Sequence, residues 1–304
     1  MRRLRSEGRV PPRRPETRSE SPGHNLTVYR INAAPKAAQC EPELQSLLTS
    51  RFLHLIENRN ILIKYNLNTA EPYPASVSPE MLKTLAGILH KLGAQSVTAG
   101  DCCTIRLLPT KNQVKKAGLA EALEGRAKLI CFDDLPWVTI PLEGQYLKSV
   151  TVPRIAHQAD TIIALANLKT HFQADYTGAL KLAVGFMHPL ERRPLHRENL
   201  QEKIAEINLA LQADLYIMDA RVAMISGGPD QGPTAAANTL LVSDNPLALD
   251  FEAYKLLYRL KVEHDYVEGY REDPFSLAQL SHAREISIGG LPWAGCDLRP
   301  WPNQ

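Results

Sequence analysis

The chain has no Cys-x-x-Cys pair, no apolar run approaching the ~18 uncharged residues of a membrane span, and no surplus of charge beyond its first residues. Each absence removes a class of function. Without paired cysteines neither a ferredoxin run nor a zinc knuckle can be drawn from spacing alone. The five cysteines are an odd number and their only close pair, Cys102 and Cys103, is adjacent, so a disulfide framework is not expected; small buried hydrophobes are the plainer reading. Without an apolar span, a soluble protein with no membrane partner is expected. The formal net charge is +2, but residues 1–24 hold seven Arg against three Glu, leaving 28 basic against 30 acidic residues in the remainder. No global basic field remains, and nucleic acid is not an expected partner.

What is there suits a globular protein: 304 residues, 44% hydrophobic and 22% charged, enough to bury a real core. A disordered basic tail is expected over residues 1–26, where Arg, Pro, Ser and Glu leave little to bury. Its early Arg-Arg pair resembles a twin-arginine export signal, but no apolar segment of about 7 to 15 residues follows. A cytoplasmic location is therefore expected, and the tail is expected to add nothing to stability. A single domain over 27–290 and a C-terminal tail over 291–304 complete the division.

Past the tail, Val- and Ile-rich runs alternate with amphipathic segments, which predicts an α/β fold: a mostly parallel sheet with helices on both faces. Strands are expected at "ILIKYNL" (61–67), "SVTAGD" (96–101), "KLICFD" (128–133) and "DTIIALANL" (160–168), the last apolar on both faces as a central parallel strand should be. "VTIPL" and "KSVTVP" predict a hairpin. Ser78 and Pro79 start a helix that Gly93 stops; a second runs to Gly125, a third spans 198–211, and a final one is capped by Asn245 or Asp244 ahead of Pro246.

In open α/β sheets ligands bind beyond the carboxyl ends of the strands, and the unusual polar clusters of this chain fall there. They comprise Lys64 and Asn66, then Asp101, then Asn167, Lys169 and His171, then Asp219 and Arg221 running into a Gly-Gly-Pro-x-x-Gly loop with Gly228 and Gly232. Plainer readings stand beside each: Lys64 and Asp101 as surface charges, the glycines as turn formers, His196 as a solvated loop residue. Thr177 and Gly178 offer a turn from which a helix can start, with Lys181 in its first turn. Neighbouring cations and the helix N-terminus would lower the pKa of that amine and fit it for nucleophilic or proton-transfer work.

The blocks "ILIKYNL", "LGAQSVTAGD", "DTIIALANLKTHFQADYTGALKLAVGF", "MDARVAMISGGPDQG" and "VSDNPLALD" together resemble the domain-of-unknown-function 362 family over about residues 58–258. That resemblance implies a possible metal ion or iron–sulfur cluster, although the ferredoxin-type cysteines of some members are absent, and Leu182 stands where the family usually has an amide. A more distant similarity is to the nickel-dependent lactate racemase family, in which His171 would match an acid/base histidine and Lys181 the lysine that holds the nickel-pincer cofactor. Asp101 or Cys102 stands at the place of its second acid/base histidine, and His196 falls one residue from its nickel-ligand histidine.

The leading expectation is an enzyme with a cationic pocket for a small carboxylate or phosphate, in which His171, Lys181 and Asp101 are catalytic. Lys64, Asn66, Lys169, Thr177, Gly178, Asp219, Arg221, Gly228 and Gly232 would bind the small-molecule anion. Its concrete form is proton transfer next to a carboxylate with His171 as base. Two alternatives stand: a metal or iron–sulfur accessory protein with Asp101, Cys102, Cys103 and His171 as ligands and His196 as a further metal candidate, and an anion-binding module without turnover.

Overall fold

The computed structural model describes residues 11–13, 26–290 and 292–302. Among the described residues eleven strands form one nine-stranded mixed sheet and a separate hairpin. They are β1 (Leu26–Asn32), β2 (Asn60–Lys64), β3 (Ser96–Asp101), β4 (Lys128–Cys131), β5 (Trp137–Pro141), β6 (Ser149–Pro153), β7 (Thr161–His171), β8 (Asp175–Thr177), β9 (Leu215–Met224), β10 (Thr234–Ser243) and β11 (Cys296–Trp301). The large sheet runs β11-β1-β10-β9-β7-β2-β3-β4, with β8 folded back onto β7, and β5 pairs β6 antiparallel. Five of its eight pairings are parallel; β10 runs against both β1 and β9.

All eleven residues of β7 are buried, because β2 and β9 flank it and an apolar layer covers each face. One layer holds Leu62, Ile162, Ala164 and Leu168, the other Ile61, Ile63, Ile163 and Leu165, so successive residues of a strand serve opposite cores. Among the described residues ten α-helices accompany the sheet: α1 (Glu41–Arg51), α2 (Pro79–Lys91), α3 (Thr110–Lys116), α4 (Leu119–Leu123), α5 (Arg154–Gln158), α6 (Ala179–Leu182), α7 (Pro189–Leu195), α8 (Leu200–Ala210), α9 (Pro246–Glu263) and α10 (Ala278–Glu285). In α2 the Ser78 hydroxyl accepts from Met81 N at 3.2 Å, and Met81, Leu82, Leu85, Ile88 and Leu89 are buried, as the period predicts.

Four expectations change. The helix up to Gly125 is two helices, because Gly118 takes the left-handed conformation (φ 67°) between α3 and α4. The helix capped by Asn245 is not the last, since α10 follows it. The C-terminal residues are not a tail: β11 pairs in parallel with β1 from Leu26↔Cys296 to Ile31↔Trp301, carrying the folded unit to residue 302.

The fourth concerns the arm, most of which lies outside the described residues. Arg13 is docked at the end of the sheet where β7 and β9 begin, donating to Asp214 Oδ2 at 2.7 Å and to the carbonyls of Gln212, Ala159 and Asp160. Both members of this pair are at least nine-tenths buried. Removing one partner of a buried pair is costly, so Arg13→Ala should lose about 3 kcal/mol and melt several degrees lower in calorimetry. An unchanged melting temperature would return the arm to the uninvolved role expected from its composition.

Candidate functional site

A cleft of about 870 Å³ opens beyond the carboxyl ends of β2, β3 and β7. It gathers residues scattered from 64 to 230: Lys64, Asn66, Asp101, Lys169, His171, Thr177, Gly178, Lys181 and Asp230 all line it. Six cationic side chains face it, counting Arg106, Arg192 and Arg193 with the three lysines, against the two carboxylates of Asp101 and Asp230.

Its inner wall is built on β7. Alternate residues of a strand share a face, and Asn167, Lys169 and His171 do. Asn167 Nδ2 donates to the carbonyls of Pro74 (3.2 Å) and Ser76 (2.9 Å), and Lys169 Nζ donates to the carbonyls of Ala75 (2.5 Å) and Pro229 (3.0 Å). Lys169 is 1% exposed; burial, then the nearby Lys181 charge, lowers its pKa to about 7. Asn167 Oδ1 and Thr177 Oγ1 are buried polar atoms with no hydrogen-bond partner, both on cleft-lining residues.

Lys64 and Asp101 are not surface charges. The parallel register sets Lys64 opposite Gly100, and its Nζ lies 2.8 Å from Asp101 Oδ1 with both side chains almost wholly buried. Asp101 also accepts from Leu67 N (2.6 Å) and Cys102 N (2.7 Å), and Lys64 donates to Tyr65 O (2.6 Å). Burial pushes the Lys64 pKa down while the Asp101 charge opposes it. Gly185 lies directly on the pair, where a Cβ would collide with Lys64 Nζ and Asp101 Oδ1. Arg192, 8% exposed, ties this corner together through the carbonyls of Cys102 and Cys103 (both 2.8 Å), Gly185 (3.0 Å) and Met187 (2.9 Å).

Lys181 sits on α6, a single turn held from a distance. Asp250, fully buried on α9, accepts from Ala179 N (2.7 Å), Leu180 N (2.9 Å) and the Tyr176 hydroxyl (3.0 Å). Gly178 permits this approach, since a Cβ there would strike Asp250 Oδ1 and the Tyr176 hydroxyl. Burial raises the Asp250 pKa to about 7 against the pull of those three donors. Burial also lowers that of Lys181 to about 8, with the Asp230 charge opposing and the Arg192 charge reinforcing the shift. Of the two expected causes, a neighbouring cation contributes through Arg192, but desolvation and not a helix N-terminus leads.

His171 corrects its expected role. Its Nδ1 accepts from Gln173 N (3.1 Å) and Ala174 N (3.2 Å), so the neutral ring carries its proton on Nε2. Burial first, then Lys181, Lys169 and His196, push its pKa down to about 2. A ring in this state donates from Nε2 and has no free lone pair for a base. Asp101 commits its oxygens to Lys64 and two backbone N–H groups, which makes it a brace for this corner of the cleft.

Four other expected residues do not line the cleft. Arg221 is bidentate on Asp219 (Nε to Oδ1 2.9 Å, Nη2 to Oδ2 2.8 Å), and the Tyr73 hydroxyl completes that buried knot, so neither charge is available. Gly228 donates its N–H to Gln231 O at 2.8 Å inside its own turn and packs on Thr170 O, while Gly232 packs on Ser226 O. Their loop delivers Pro229 and Asp230 to the cleft instead.

Cys102 and His196 line the cleft, but among the described residues no three His, Cys, Asp or Glu side chains gather as a metal-ligand group. Burial raises the Cys102 thiol to about 11, and its Sγ turns to Cys103 O; His196 Nδ1 bonds Arg192 O at 2.6 Å. This buried thiol does not fit a cluster site, and at the place of the second imidazole of the pincer-cofactor pattern stand Asp101, locked to Lys64, and Cys102. Arg192, Gly185, Asp230 and Asp250 are the contributors that sequence reasoning missed.

The family model described as "Domain of unknown function (DUF362)" matches residues 61–255. No curated protein matches the chain. Among solved structures, the lactate racemase apoprotein from Thermoanaerobacterium thermosaccharolyticum is similar at 16% identity and a TM-score of 0.43, covering 73% of this chain and 54% of that one. A protein from Thermotoga maritima is similar at 15% identity and a TM-score of 0.40, covering 73% of this chain and 59% of that one. The chain thus spans little more than half the length of either.

Proposed function

From a chain that belongs to the DUF362 family, we propose an enzyme whose cleft binds a small organic anion, a carboxylate or phosphate, and transfers a proton at a carbon beside that group. One observation carries this reading: Lys169 and Lys181 line the same cleft, the charge of Lys181 disfavours that of Lys169, and cations there outnumber carboxylates. Such a site holds more positive charge than its two carboxylates balance. In this reading a lysine amine carries the proton, and the neutral His171 donates from Nε2 to the charge that develops on the substrate.

Citrate, phosphate or a 2-oxo acid should stabilise the protein in thermal melts, by ~2.7 kcal/mol at a hundredfold excess over its dissociation constant. The effect should weaken as pH rises through about 7 and about 8, where Lys169 and Lys181 lose their charges. Lys181→Ala should abolish it, whereas Lys181→Arg, which keeps the charge, should retain binding and lose chemistry. No shift with any of the three anions sinks the reading. Retained binding with no proton exchange in the parent protein would instead identify a binding module.

A further inference from the structure

The two amines of the cleft are held in opposite ways. A neutral amine has two N–H bonds and one lone pair. Lys169 gives its N–H bonds to Ala75 O and Pro229 O, which come from separate loops, so its lone pair is left with one fixed direction. In the ammonium form the third N–H takes that place. Lys181 Nζ has no hydrogen-bond partner among the described residues, although the turn that carries it is latched by Asp250. One nitrogen is tethered and aimed, and the other is free to reach.

Resting on the anion-binding reading above, we propose that Lys181 condenses with the carbonyl of a 2-oxo acid to form an imine, and that Lys169 moves a proton at the neighbouring carbon. The substrate class follows from the contents of the cleft: cations for the carboxylate, a free amine for the carbonyl carbon, and the His171 Nε2–H for the carbonyl oxygen.

The step balances without an oxidant or reductant. The Lys181 lone pair forms the C–N bond, the carbonyl oxygen departs as water, and amine, carbonyl and one proton become an iminium and water. The iminium then draws in the electron pair of the adjacent C–H bond, which becomes the C=C of an enamine as the proton passes to Lys169. Reversal returns the proton and hydrolysis frees Lys181. Burial supports both roles, since it leaves Lys181 at about 8 and Lys169 at about 7, each with a usable neutral fraction at physiological pH.

Full-length protein incubated with pyruvate and sodium borohydride tests this. The expected result is one reduced pyruvate adduct in the intact mass, mapped to Lys181 in the parent and absent from Lys181→Arg, with trapping that rises with pH through about 8. In deuterium oxide the pyruvate methyl group should exchange, and Lys169→Gln should keep the adduct while slowing exchange on the order of a hundredfold. Should that variant not fold, the parent decides the role: exchange must rise with pH through about 7. An adduct on other lysines, or none, while pyruvate still raises the melting temperature, overturns the imine and leaves the anion cleft standing. Neither adduct nor melting shift removes both.

Discussion

Asp101→Ala should destabilise the fold by about 3–5 kcal/mol in chemical denaturation, the cost of leaving one member of a buried ion pair alone. Lys64 would keep only Tyr65 O as a hydrogen-bond partner in a site where burial already disfavours its charge, and Leu67 N and Cys102 N would lose their acceptor. Replacing both partners by apolar residues, Lys64→Met with Asp101→Leu, should recover most of the loss, because the penalty lies in the unpaired charge. An Asp101→Ala protein as stable as its parent but inactive would instead restore the proton-carrying role expected from the residue's place at a strand end.

The second large effect is expected at Asp250. Asp250→Ala leaves Ala179 N, Leu180 N and the Tyr176 hydroxyl buried without an acceptor, at roughly 1–3 kcal/mol for each unsatisfied group. The turn bearing Lys181 should then lose its position, and the stabilisation by anions should disappear with it. Asp250→Asn isolates the charge. Because the folded carboxyl is raised to about 7 from the ordinary aspartate value of 3.8, the native state binds the extra proton between those values. Its contribution to stability is therefore full below the unfolded pKa and is lost as pH rises through about 7. Melting temperatures of parent and Asp250→Asn, compared from pH 4 to 8, should show the parent falling relative to the variant up to about pH 7 and then running level. A difference independent of pH would mean that the carboxyl ionises normally in the fold.

Local periodicity was enough for β7, the β5–β6 hairpin and α2, where each residue's burial follows from its neighbours in sequence. It could not supply partners that only the register creates. Lys64 and Asp101 belong to strands whose pairing places Lys64 beside Gly100, and nothing near either residue announces that both are buried. Arg192 lies in the polar run "ERRPLHR", which reads as solvated surface, yet its guanidinium is buried among four carbonyls. Asp250 ends the block "VSDNPLALD" as one acid on an amphipathic helix; its role at α6 depends on a contact 71 residues away along the chain from Ala179. The pair Asp219 and Arg221 was within reach, because residues two apart on a strand share a face and opposite charges there neutralise each other. The C-terminal strand was hidden by Pro300, tolerable only because β11 is at the edge of the sheet.

The two carbonyls that grip Lys169 have a consequence for handedness. A lysine swinging on its four-carbon stem could meet either side of a planar carbon, and protons exchanged through it would carry no stereochemical memory. Fixed between Ala75 O and Pro229 O, the nitrogen can address one side alone. Of two mirror-related hydrogens on a methylene in the cleft, it would distinguish one, and a proton returned there would arrive on the face from which it left.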